Sequence, residues 1–122
     1  MEDEPVRFFE DLMPDILHST RKALAHLLSC DAEDLALVEN ATSGVNTVLR
    51  SLRFEPGDEI LVPDHAYQAC RNTIDFVAER WGANVVTVNI PFPIQHQDEV
   101  IEAVMDAVTN NTRLAMLDTV TS

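Results

Sequence analysis

Basic residues are scarce in this chain. Eight lysines and arginines stand against 21 acids, a formal net charge of −13. Such a field repels a phosphate backbone and an anionic lipid surface alike, so nucleic acid and membrane are poor partners. Cysteine is scarce too. Cys30 and Cys70 lie far apart, form no CxxC and lack metal-ligand spacing, so no metal site is indicated. Two such thiols fit a reducing compartment. No apolar run approaches the ~18 residues of a membrane span. The acidic start "MEDEPVRFF" carries no signal-peptide core. The chain therefore reads as soluble and cytoplasmic. Repeats, low-complexity tracts and an obvious linker are also missing. With 3 glycines, the chain contains neither GxxxxGK[ST] nor GxGxxG, so neither a nucleotide-triphosphate loop nor a dinucleotide fingerprint is indicated.

What is present is an alternation. The 122 residues suffice for one small domain, and 46% of them are hydrophobic, enough for a packed core. Residues 6–13 read as a short helix, ended or kinked by Pro14, which could equally open the next helix, 15–28. There Ile16, Leu17, Leu24, Leu27 and Leu28 recur at helical spacing. "SCDAEDL" is a turn. Leu35–Glu39 reads as a first strand and 43–53 as a helix. "EPGD" at 55–58 is a turn, its glycine permitting a positive φ. Ile60–Val62 is a second strand, 66–81 a long helix ended by Gly82, Asn84–Ile90 a third strand, 97–108 a helix, and 113–118 a fourth strand.

This order, α-β-α-β-α-β-α-β, implies βαβ units and parallel strands with right-handed crossovers. The expected fold class is α/β: a three-layer α-β-α arrangement with a mainly parallel sheet. The expected division is N-terminal helices in 1–34 and the β-α-β-α-β-α-β portion in 35–122. Ligands of such sheets gather at the carboxyl ends of the strands. Polar groups fall there at 40–44, 64–67 and 119–122.

The stretch "NATSGVN", residues 40–46, is placed where a strand turns into a helix. Thr42 or Ser43 would cap that helix, and Gly44 would allow close approach to the backbone. Unpaired N–H groups at a helix start favour an anion. Taken alone, an ordinary capped helix explains the stretch as well.

Its surroundings add more. The segment "ENATSGVNTVLRSLRFEPGDEILVPDHAYQACRN" resembles the pyridoxal-phosphate enzymes of aminotransferase class V, fold type I, and most closely the isopenicillin-N-epimerase-like members. The likeness runs from "EPVRFF" to "LDTVTS" and includes the loop, the "PGDEIL" turn and strand, and "DHAY". It implies that the chain is the first part of the large domain of such an enzyme. Thr42, Ser43 and Gly44 would hold the phosphate of pyridoxal 5'-phosphate. His65 would lie against the face of its ring, and Thr121 and Ser122 would approach the ring's substituents. The parent would act at Cα of an amino acid substrate, by epimerase, aminotransferase or lyase chemistry, and would be a homodimer. Cysteine desulfurase is a weaker rival within the class.

The resemblance also implies what lies elsewhere. The lysine that binds the cofactor covalently and the aspartate that pairs with the pyridinium nitrogen would come after Ser122. Lys22 is the only lysine here and reads as a surface residue. Asp118 comes too early to take the aspartate's role. By this reading the chain is a fragment, inactive alone, with its first strand lacking neighbours and apolar sheet edges exposed. Thr119 departs from the histidine often found there in close relatives, which bears on substrate preference. The alternative is a non-catalytic acidic α/β binding or interaction module. His18, His26 and His96 read as surface or helix-start residues, Cys70 as a buried small apolar group, and Tyr67 as either a site residue or a boundary aromatic.

Overall fold

The computed structural model describes residues 4–118. Contacts divide the chain into two units, Met1–Glu39 and Asn40–Ser122.

The first unit is helical. α1 (Pro5–Arg7) runs through a π-helical turn, Phe8–Leu12, into α2 (Met13–Leu28). Pro14 does not break this run. It occupies the first turn of α2, where its missing N–H costs little. Of the two readings of Pro14, the one in which it opens the second helix is observed, and the two expected helices join in one continuous helical path with a π turn just ahead of the proline. α2 ends at Ser29, which takes a left-handed conformation with φ of 55°. "SCDAEDL" holds a short 3-10 turn, Ala32–Asp34, opened by the Asp31 side chain accepting from the Glu33 N–H.

Leu35–Glu39 forms no strand, a second correction. The apolar run is present, but a strand exists only through its ladder partners, and none pairs with it among the described residues.

The second unit carries the sheet. α3 (Ala41–Ser51) leads through a turn at Gly57, φ 93°, into β1 (Glu59–Pro63). α4 (Gln68–Trp81) follows and stops at Gly82, whose φ of 72° suits glycine. Then come β2 (Asn84–Val88), α5 (Gln97–Ala107) and β3 (Thr112–Ala115). The strand order is β2-β1-β3, all parallel. Glu59 pairs with Thr112 and Ile60 with Leu114, so the register shifts at Arg113.

The two crossovers run in opposite directions, β1 to β2 and then back past β1 to β3. Right-handed crossovers that reverse direction put their helices on opposite faces. The packing agrees. On one face Ile60 and Val62 of β1 meet Ile74, Val77 and Ala78 of α4 and Leu49 of α3. On the other, Leu61 joins Val88 and Ile90, packed by Val100, Val104 and Ala107 of α5. β1 is central and buried on both sides, hence the unbroken "ILV". Ile60, Leu61, Val62, Ile74 and Val77 are fully buried, each contributing about 1.5–3 kcal/mol. The expected α/β class with a parallel sheet is the observed one.

Candidate functional site

The chain leaves β1 through Asp64 and His65, β2 through Ile90 and Phe92, and β3 through Leu117 and Asp118. All three exits lie at the carboxyl end of the sheet and line one cavity of about 560 Å³, with Val100 and Val104 of α5 as a further wall. Apolar groups make most of the lining. Asp64, His65 and Asp118 are its charged or titratable members.

Asp64 is held from three directions. Its backbone N–H donates to the Val88 carbonyl at 2.9 Å. Its Oδ1 accepts from the Ile90 N–H at 3.3 Å and lies 2.9 Å from His65 Nδ1. These contacts clamp the exit of β1 to the exit of β2. The His65 bond, followed by the Ile90 N–H, holds the Asp64 carboxyl below its ordinary range. Both side chains remain partly open to solvent, 39% for Asp64 and 43% for His65.

Asp118 closes the other side. Its Oδ2 accepts from the Tyr67 N–H at 3.2 Å. Tyr67 is the residue before α4, and its own side chain caps nothing. The Asp118 carboxylate therefore serves a helix start that lacks a local cap, at the positive end of the helix dipole. Cys70 lies in the first turn of α4 and is buried. Burial pushes its thiol pKa up, and the Asp118 charge adds to that.

The start of α3 is built differently. Asn40, not Thr42 or Ser43, is the cap: its Oδ1 accepts from the Ser43 N–H at 2.8 Å. The expected cap is corrected for a geometric reason. Helical backbone already begins at Ala41, so Thr42 and Ser43 lie inside the first turn, while Asn40 is extended. The correction frees both hydroxyl side chains from capping. Asn40 satisfies Ser43, and its carbonyl accepts from the Gly44 N–H at 3.1 Å. The N–H groups of Ala41 and Thr42 have no acceptor among the described residues.

α3 and α4 run side by side in the same direction. Thr73 Oγ1 donates to Asn46 Oδ1 at 3.0 Å, and the Arg50 guanidinium lies 5.1 Å from the centre of the Phe76 ring. The starts of both helices thus stand at the same end of the sheet as Asp64 and His65. The cavity itself does not reach Thr42, Ser43 or Gly44. It opens on the α5 side, and α3 packs on the other face. The structure therefore gathers Thr42, Ser43 and Gly44 on one helical turn and His65 with Asp64 at the end of β1. Thr121 and Ser122 lie outside the described residues.

The segments 40–44 and 64–67 were expected to carry site groups, but neither Asn40 nor Asp64 was singled out within them, and the Tyr67–Asp118 contact was not expected. Asn40 carried a readable signal, a capping residue just before the helical pattern. Asp64 was signalled only by its place between a strand and His65, and the Asp118 contact joins residues 51 apart in sequence. Among the described residues no group of three or more His, Cys, Asp or Glu side chains is placed to hold a metal ion. No helix there is long and apolar enough to cross a membrane.

Residues 8–122 match the family model for aminotransferase class-V, and the chain belongs to that family. It is 28% identical to a protein named probable L-cysteine desulfhydrase, chloroplastic, from Arabidopsis thaliana, over 98% of this chain and 28% of the relative. It is 35% identical to isopenicillin N epimerase of Streptomyces clavuligerus, over 98% of this chain and 30% of that enzyme. Among solved structures, a C-DES mutant with glycine covalently linked to its PLP cofactor superposes with a TM-score of 0.81 at 23% identity, covering 93% of this chain and 30% of that one. The chain spans less than a third of the length of these relatives. The resemblance read from "NATSGVN", "PGDEIL" and "DHAY" agrees with the family match, and the fold agrees with the structural neighbour.

Proposed function

We propose that this chain forms the phosphate- and ring-facing part of a pyridoxal-phosphate site in an enzyme acting at Cα of an amino acid. The observation that carries the reading is the start of α3. Two N–H groups there lack acceptors among the described residues, and two hydroxyls stand beside them with the capping task already taken by Asn40. These are the donors a phosphate dianion takes, and they work without basic side chains. That suits a chain of net charge −13.

Thr42 and Ser43 would donate hydroxyl bonds to the phosphate, and Gly44, with no Cβ, would keep the approach open. His65, at the end of the neighbouring strand, would bear on the ring and fix its tilt. Pyridoxal phosphate, when bound, supplies the electron sink that weakens a bond at Cα. The chain's own residues bind and orient. Named relatives include a desulfhydrase and an epimerase, so lyase and epimerase outcomes both fit the reading. A homodimeric, cytoplasmic parent completes it, the latter supported by two free cysteines suited to a reducing compartment.

The test uses pyridoxamine 5'-phosphate, which has no aldehyde to react with Lys22. Titration followed by phosphorus NMR should give saturable binding, weakened roughly tenfold or more in a Thr42→Ala, Ser43→Ala variant. Binding unaffected by that change would remove the α3 start from the site. No binding by the folded chain would favour a non-catalytic acidic α/β module.

A further inference from the structure

Nothing so far assigns Asp64 a task beyond joining two strand exits. Its geometry points to one. The carboxyl is held below its ordinary range and is ionised at neutral pH. An ionised carboxylate only accepts hydrogen bonds. His65 Nδ1, 2.9 Å from Asp64 Oδ1, must therefore be the donor. A neutral imidazole carries one proton, so Nε2 is left with its lone pair free.

We propose that Asp64 is a positioning residue that fixes His65 in the Nδ1–H tautomer and so presents Nε2 as an acceptor at the carboxyl end of the sheet. Two features make the carboxylate rigid enough for this. The Asp64 backbone N–H is bonded to Val88, and its Oδ1 also takes the Ile90 N–H. The acceptor is thus tied to β2 as well as to its own strand. A carboxylate without these ties would follow the imidazole, whereas this one directs it.

The consequence concerns the proposed site and rests on that reading. A ring held by Asp64 has its plane and its proton assigned before any ligand arrives. Its free nitrogen can accept a hydrogen bond or a proton, but cannot donate one while the ring is neutral. The bound group near His65 should therefore present a donor to Nε2, or contact the ring only by its face.

Imidazole nitrogen NMR on the full chain tests this without any cofactor. His65 signals are assigned by their loss in His65→Gln. In the native chain, wherever the ring is neutral, Nδ1 should show the protonated shift and Nε2 the unprotonated one. Asp64→Ala removes the carboxylate oxygen that faces Nδ1. It should shift the proton toward Nε2, the tautomer a free imidazole side chain prefers in water. Asp64→Glu keeps an acceptor-only group and should preserve the native pattern. An unchanged tautomer in Asp64→Ala, or an Nε2–H ring in the native chain, would overturn the assignment. These outcomes are separable from the cofactor reading. Unaltered pyridoxamine 5'-phosphate binding by His65→Gln would remove His65 from that site, while the tautomer result would stand.

Discussion

At the residue scale, the end of β1 concentrates most of the chemistry in two adjacent side chains. Asp64 and His65 form the turn that directly follows a buried strand, closed by the Ala66 N–H donating to the Pro63 carbonyl at 3.2 Å, and the Asp64 N–H is still bonded to Val88 of β2. The Asp64 carboxyl, with an ordinary value of 3.8, is lowered in the folded chain, chiefly by the His65 bond. A lowered carboxyl contributes stability that is fully present above its unfolded value and is lost as pH falls through the folded one. Urea melts between pH 6 and pH 3 should therefore show a steeper acid loss for the native chain than for Asp64→Asn. Equal losses would mean that the contact has no weight in solution. Cysteine offers a second contrast. Cys30 is exposed and Cys70 is buried with a raised thiol pKa. Thiolate is the reactive form, so iodoacetamide at neutral pH should label Cys30 well before Cys70, read by peptide mass spectrometry. His65 was legible as a site candidate because its setting resembles a family motif. Its bond to Asp64 was not, because a spacing of one residue says nothing about which way two side chains turn.

At the scale of elements, the helix starts distinguish this unit. α3 is capped locally by Asn40, whereas the residue before α4, Tyr67, donates its N–H to Asp118 just past the neighbouring strand β3. The first is written in six consecutive residues, "ENATSG", and was misread only by two or three positions, since Asn, Thr and Ser all make good caps. The second needs β3 in place, and no local pattern announces it. Replacing Asn40 with Ala should cost about 1 kcal/mol of stability in urea denaturation. It should also expose the Ser43 N–H, adding a third unpaired donor at the α3 start. Gly57 and Gly82 were legible for a simpler reason: both sit after "EP" or a helix and before a strand, where a positive φ is needed. Leu35–Glu39 was not. Its apolar run fits a buried strand, but pairing is a property of partners, and among the described residues it has none.

At the scale of the molecule, the alternation of helices and strands made the parallel α/β class readable before any coordinates. What it left open was strand order. The sequence of elements does not say that the chain returns past β1 to lay β3 on its other side. That placement sets α4 and α5 on opposite faces and brings the exits of all three strands to one cavity. It also separates the two halves of the proposed site: the α3 start packs with α4 on one face, and the His65 cavity opens on the other. They meet only across the carboxyl end of β1. The central claim is that one ligand bridges this gap, phosphate to α3 and ring to His65. The most direct measurement is amide chemical-shift mapping of the chain with pyridoxamine 5'-phosphate. The expected result is a joint, saturable response of Ala41–Gly44 and His65 with a single affinity. Response at only one of the two, or two different affinities, would contradict it.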